Sequence, residues 1–437
     1  MSKKLLVMAL ALTMVLGLTS MAMAFDGWDQ FKGTRIRFLM NNHPFTDYIK
    51  TQLPKFEEMT GIDVVLETFP EDQFRTKRLI ELTGGSGSVD GFMIMPGNSG
   101  LQYNQAGWLT PLEELANNPK ITSPDFSFDD FFAGTLKAGQ FDGHQMTVPI
   151  LSETSLLAYR KDLFEKYGVK VPTTMEELEA AAKKLTKDLD GDGKIDLYGI
   201  TMRGKRAAAT SQWVDFLHSF GGEWLDANGK AAVNSKEAVA ATKFYGDLIR
   251  KYAPPGGTNV HFQESIAYFT QGKAAMIYDA NVFKKNYEDP KGSKVAGKVG
   301  YVLIPKGPAG QVPHVSGWHL SIASNSRNKE AAWLFIQWAT NYENSLGALL
   351  AGVPTARKAA WEDPKFKNND TTPDWTAESL RGFEIGSPVW NPPVIAIGEV
   401  RDAVGLAIVA AINGEDVQAA CDKAAKEMDA IIKATQK

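Results

Sequence analysis

The chain has 437 residues, of which 44% are hydrophobic, 10% aromatic and 22% charged, with ten tryptophans and a formal net charge of −4. This is the balance of a globular protein of about two domains, and its acidic sign disfavours nucleic acid and anionic membrane as partners. Cys421 is the only cysteine, so an internal disulfide is excluded and stability must come from the core.

In chain order, Ser2-Lys3-Lys4 precedes an apolar run from Leu5 to Leu18, and Ala22-Met23-Ala24 closes it in the small-x-small pattern read by signal peptidase. The expectation is a signal peptide, residues 1–24, cleaved after Ala24. Losing Lys3 and Lys4 leaves 45 basic against 51 acidic residues, a net charge of −6 for the mature chain. The run is shorter than the roughly 20 residues a spanning helix needs. A lipoprotein would carry a cysteine after the cut, where Phe25 stands, so a soluble periplasmic protein is expected.

Arg35 to Met40 reads as a strand, Phe45 to Met59 as a helix stopped by Thr60-Gly61, Ile62 to Glu67 as a strand, Asp72 to Leu82 as a helix and Val89 to Met95 as a strand. Such alternation implies parallel pairing with right-handed crossovers, and ligands sit beyond the carboxyl ends of such strands, which puts Asn41, Asn42, Pro96 and Asn98 on a binding edge. A second α/β unit follows from Met146, with helices at Met175 to Leu185 and Ala238 to Tyr252 and strands at Tyr198 to Thr201 and Ala274 to Tyr278. The last quarter is helical: Lys329 to Thr340, Thr376 to Phe383, Val394 to Ile412 and Val417 to Ile432, broken at Pro392-Pro393 and Asn413-Gly414.

The text Val148-Pro149, Ser152-Glu153-Thr154, Leu157 to Phe164, Tyr167-Gly168-Val169 and Val171 to Leu178 resembles the extracellular solute-binding proteins that include the maltodextrin binders. Ala106 to Leu112 and Phe269 to Met276 fit the same family, and the resemblance covers nearly all of the mature chain. Within it, Asn41-Asn42, Arg203-Gly204-Lys205, Tyr278-Asp279-Ala280, Glu288-Asp289-Pro290 and Ser293 to Tyr301 resemble the sorbitol and mannitol type of polyol binder. The text departs from that type at Arg206 to Thr210 and around Pro96 to Gly100.

The resemblance implies an α/β fold of two lobes joined by crossing strands, with a helical C-terminal region. Lobe 1 comprises 25–152 and 319–341, and lobe 2 comprises 153–318 and 342–437. It implies the monomeric substrate-binding component of an ABC importer, which takes a sugar or polyol into the interlobe cleft and hands it to membrane permease subunits. Crossings are expected near Leu151-Ser152-Glu153, Ser316-Gly317-Trp318 and Asn341. Hinge closure belongs to the general description of periplasmic binding proteins and is carried over with the family.

A polyhydroxylated ligand needs carboxylates, amides and guanidinium forks for its hydroxyls and an aromatic wall for its C–H faces. Glu153 matches a ligand-facing glutamate of the maltodextrin relatives, against a reading as a solvated loop acid. Asp279 ends a strand, and Arg203, freed by Gly204, can aim a fork inward or belong to an ordinary basic loop. Arg357, after Gly352-Val353-Pro354-Thr355, is a similar candidate. Trp318 either stacks on the ligand or packs the hinge, Trp213 is open between core and site, and Trp390 sits in a rigid loop that can edge the cleft. With Asn41 and Asn42 these are the candidate site.

Asp188, Asp190, Asp192 and Asp196 stand at positions 1, 3, 5 and 9 of a calcium-loop pattern, with Gly199 where a bidentate glutamate is required. A structural calcium is the one cofactor this pattern admits; the other reading is an Asp/Gly turn. A secreted glycoside hydrolase is the rival function and would need two cleft carboxylates about 5–9 Å apart. The sequence names no such pair, and it lacks H-E-x-x-H, C-x-x-C, G-x-S-x-G and P-loop motifs. No catalytic residue is expected.

Overall fold

A computed structural model describes residues 25–435, so the expected signal peptide lies outside the described residues. Strand β1 (Arg35–Asn41), helix α1 (Pro44–Thr60), β2 (Asp63–Phe69), α2 (Glu71–Gly84) and β3 (Gly91–Ile94) follow the expected alternation within two or three residues. The start of α1 is set by His43, whose ring accepts the Phe45 amide, and by Pro44 in the first turn; Gly61 ends it at φ 67°. β1 pairs in parallel with β2, from Arg35 opposite Asp63 to Asn41 opposite Phe69, and in parallel with β3.

The first sheet is completed from far along the sequence. Its order is β2-β1-β3-β8-β4, where β4 is Val148–Pro149 and β8 is His319–Ile322, and β8 runs antiparallel to both neighbours. The second sheet has β5 (Ser155–Arg160) between β6 (Met276–Ala280) and β7 (Val299–Leu303), all antiparallel. The stretch expected as a strand at Tyr198 to Thr201 contributes only two isolated parallel bridges, from Tyr198 to Ala274 and from Thr201 to Ile277 of β6.

Around the second sheet lie α3 (Met175–Leu185), α4 (Arg206–Ser219), α5 (Lys236–Tyr252) and α6 (Phe262–Thr270). The chain then places α7 (Lys329–Ala339) and α8 (Tyr342–Leu350), followed by α9 (Pro373–Ile385), α10 (Ile397–Asn413) and α11 (Val417–Thr435). α10 lies against α4, α5 and α11 and is buried over most of its circumference, which accounts for its near-continuous apolar text.

Two crossings fall where the sequence places them. Glu153 and Ser316 exchange backbone hydrogen bonds of 2.8 and 2.9 Å, and the Ile150 amide donates to the Trp318 carbonyl at 2.9 Å. The third differs: Leu151 is bridged to Thr355, and the Ser152 amide donates to the Pro354 carbonyl. Helix α8 packs on α1 and α7, with Gly347 so close to Tyr48 that a Cβ there would lie 2.0 Å from the phenol oxygen. Residues 342–350 therefore sit on the first lobe, and the chain is on the second lobe by α9, which packs on β7 and β5. No helix among the described residues is long and apolar enough to cross a membrane.

Candidate functional site

A cavity of about 360 Å³ opens between the lobes where the crossing segments meet the strand ends. Among the residues expected at the site, Asn41, Asn42, Glu153, Arg203, Asp279, Trp318 and Trp390 line it. Trp213 and Arg357 do not. Trp213 is fully buried, edge-on to Trp224 at 5.1 Å, and its Nε1 donates to Thr242 Oγ1 at 3.0 Å, so it is core. Arg357 is buried between aromatic rings, with its guanidinium 4.4 Å from the Phe131 centroid, donating to the Thr340 carbonyl and pairing with Asp130. A guanidinium spent on tying helix ends together is not offered to the cleft.

Each lobe supplies one fork of charge. Arg203 and Asp279 form a two-bonded ion pair, and Asp279 Oδ1 also accepts the Ala280 amide at 2.8 Å. The Arg203 guanidinium lies over Phe262, 5.4 Å from its centroid, and Phe262 stacks on Phe283 at 5.3 Å. Tyr245 Oη donates to the Arg203 carbonyl at 2.6 Å and Gln212 Oε1 accepts the Arg203 amide at 2.9 Å, so the fork is fixed from behind. From the other lobe, the first turns of α2 bring Glu71 and Arg75 together, with Arg75 Nη2 2.5 Å from Glu71 Oε1. Burial works against ionising Glu71, but the charge and hydrogen bond of Arg75, with Arg203 and His261 beyond, hold it down to about 2.

Glu153 is buried at the hinge. Among the described residues its carboxylate meets His43 Nε2 at 3.5 Å, and because His43 Nδ1 accepts the Phe45 amide, Nε2 carries the proton that faces Glu153. Trp318 lies beside them, 6.0 Å from the His43 ring and 5.6 Å from the Arg75 guanidinium. Asn41 Oδ1 is buried without a donor among the described residues, an open acceptor at the end of β1.

Trp390 also lines the cavity. His314 stacks on it at 5.8 Å and is oriented by the fully buried Asp215, whose Oδ1 accepts both the backbone amide and Nδ1 of His314 at 2.7 and 2.8 Å. Arg401 of α10 lies 5.2 Å from the Trp390 centroid. Trp390's neighbour Asn391 donates to the Gly97 carbonyl at 3.0 Å, which links the two lobes across the mouth, as does Lys205 with Asp72 at 3.7 Å. The sequence reading missed Glu71, Arg75, Arg401, His43 and His314. The acid and base spaced four apart at the start of α2 are visible in the text, but nothing there separates a cleft-facing pair from a solvated one.

Away from the cavity, Asp188, Asp190 and Asp196 bring carboxylate oxygens within 4.8 Å of one another. Asp192 does not join them; it accepts the Lys194 amide at 2.8 Å and faces Lys194 Nζ at 3.2 Å. Asp188 accepts the Gly191 and Gly193 amides, and a Cβ on Gly199 would lie 2.0 Å from the Ala182 carbonyl, so no glutamate fits the twelfth position. The loop is held as a turn by its own amides.

The profile of the family described as bacterial extracellular solute-binding protein matches residues 42–345. The erythritol/L-threitol-binding protein of Mycolicibacterium smegmatis is 30% identical over 358 residues, 77% of this chain and 72% of the relative. The mannitol-binding protein of Pseudomonas aeruginosa is 27% identical over 80% of each chain. An ABC transporter solute-binding protein of Agrobacterium radiobacter K84, solved in complex with ribitol, superposes with a TM-score of 0.83 at 29% identity, covering 92% of this chain and 99% of that one.

Proposed function

This chain belongs to the bacterial extracellular solute-binding proteins, and from that membership we propose that its interlobe cleft takes a single small polyol or sugar unit for an ABC importer. It is a binding protein and not an enzyme. The observation that carries the ligand class is one cavity lined together by the Arg203–Asp279 fork, the Glu71–Arg75 fork, Glu153 and the indoles of Trp318 and Trp390. Carboxylates and guanidinium forks pair with vicinal hydroxyls, and indoles cover the C–H edges between them.

About 360 Å³ is at the small end for ligand pockets, which favours a monomer over an oligosaccharide. Contacts from both lobes give the ligand a differential affinity for the closed state, which is the condition for closure. The wider proposal is export to the periplasm, with the signal peptide cut after Ala24, and action as a monomer that docks to permease subunits.

The test is a thermal-shift and calorimetric panel of erythritol, ribitol, mannitol, sorbitol and maltose. A ligand that binds only the native state raises stability by about 2.7 kcal/mol at a hundredfold excess over Kd. At least one polyol should do so and be recovered chemically unchanged. A panel without any shift, or release of a transformed product, removes the proposal.

A further inference from the structure

We propose that the cleft selects a polyhydroxy acid, a polyol chain that ends in a carboxylate, and that Arg401 is the residue that reads the acid. The inference rests on the cleft reading above and narrows its ligand.

The argument is a pairing of charges. Three guanidinium groups line the cavity, those of Arg75, Arg203 and Arg401. Arg75 is matched by Glu71 and Arg203 by Asp279. Arg401 has no carboxylate within ion-pair distance among the described residues, although it is 8% exposed. What it has are neutral acceptors: Nε donates to Thr210 Oγ1, and Nη2 to the Ala207 carbonyl and Ser211 Oγ, each at 2.8 Å. Those bonds orient the guanidinium on the Trp390 face and leave Nη1 without an acceptor among the described residues.

A buried, oriented cation without a counter-ion is costly, because hydrogen bonds to neutral oxygens do not restore what its charge loses on leaving water. The proton affinity of the group records that cost: burial, reinforced by the nearby positive charge of Arg75, brings Arg401 down to about 9. A ligand hydroxyl would supply the missing acceptor but not the charge. A carboxylate supplies both, in the charge-assisted geometry for which a guanidinium is shaped. Of the four acids lining the cavity, Asp279 and Glu71 are spent on arginines, Asp47 lies in the first turn of α1, and Glu153 faces His43. Glu153 is thereby available for the hydroxyl part of the same ligand.

The experiment compares matched alcohol and acid pairs by calorimetry near neutral pH: erythritol with erythronate, ribitol with ribonate, and mannitol with mannonate. In the best-bound pair the acid should bind at least about tenfold more tightly than the alcohol. In Arg401→Gln that ratio should collapse towards one, and Arg401→Lys should restore part of it. If the alcohol binds as tightly as the acid or more so, the inference is overturned while the polyol reading stands. If no member of any pair binds, the inference is overturned, and sorbitol and maltose in the first panel decide whether the wider reading falls with it. Should Arg401→Gln fail to fold, the wild-type ratio alone decides.

Discussion

Glu153 and Asp279 both face the cleft, but their surroundings set different costs for removing them. Glu153 shares its carboxylate with His43 at 3.5 Å and has oxygen to offer a ligand. Glu153→Gln should therefore weaken ligand binding by about 1–3 kcal/mol, as expected for a hydrogen bond that loses its ionised partner, with little change in the unfolding midpoint. Calorimetry alongside denaturant titration checks both halves. Asp279 is the counter-ion of Arg203, and the side chains are 1% and 11% exposed. Asp279→Ala strands a buried guanidinium and should cost about 3–5 kcal/mol of folding stability. The double variant Arg203→Met with Asp279→Leu should recover most of that stability while leaving the cleft unable to bind. A single Asp279→Ala variant as stable as the wild type would show that the pair is not the structural element described.

At the scale of the element, β8 carries a buried histidine into the first sheet. His319 is fully buried; its Nδ1 is 2.8 Å from Thr147 Oγ1, Nε2 has no partner among the described residues, and burial lowers its pKa from 6.5 to about 3. The folded chain keeps this ring neutral while the unfolded chain protonates it below about 6.5. The contribution to stability is thus complete above that pH and is lost as the pH falls towards about 3, at up to about 1.4 kcal/mol per pH unit. His319→Gln should flatten that part of the stability profile, read from denaturant midpoints across the range. β8 also shows what the sequence could and could not reveal. The parallel β1-β2-β3 core is local, so strand, helix and turn signals find it within two or three residues. That His319–Ile322 joins β3, more than 200 residues earlier, is set by tertiary pairing and leaves no local mark. The site divides the same way. Glu153, Trp318, Asn41 and Asp279 lie at crossings or strand ends, where position alone suggests function. Glu71, Arg75 and Arg401 lie on helices, where a residue aimed into a cleft and one aimed at water have the same local text. Arg357 and Trp213 looked like ligand groups because guanidinium and indole serve cores as well as sites.

For the whole molecule, the proposed closure of the cleft would draw on the contacts that link the lobes at its mouth. Asn391 to Gly97 is the clearest, a 3.0 Å bond from the second lobe to the turn after β3. Asn391→Ala should leave each lobe intact and cost about 1 kcal/mol of affinity, seen mainly as faster ligand release in stopped-flow measurements. An unchanged release rate would show that the mouth contact does not contribute to closure. Trp390, next in the chain, has a further consequence. Like Trp318, which has His43 and Arg75 for neighbours, it lies against an imidazole and a guanidinium, at 5.8 and 5.2 Å, and it borders the cavity. Indole emission responds strongly to such neighbours and to the departure of water, whereas Trp213, Trp224, Trp333 and Trp375 are sealed in the core. The protein therefore carries its own optical gauge of occupancy, and the filling of the cleft can be followed by fluorescence without attaching a dye.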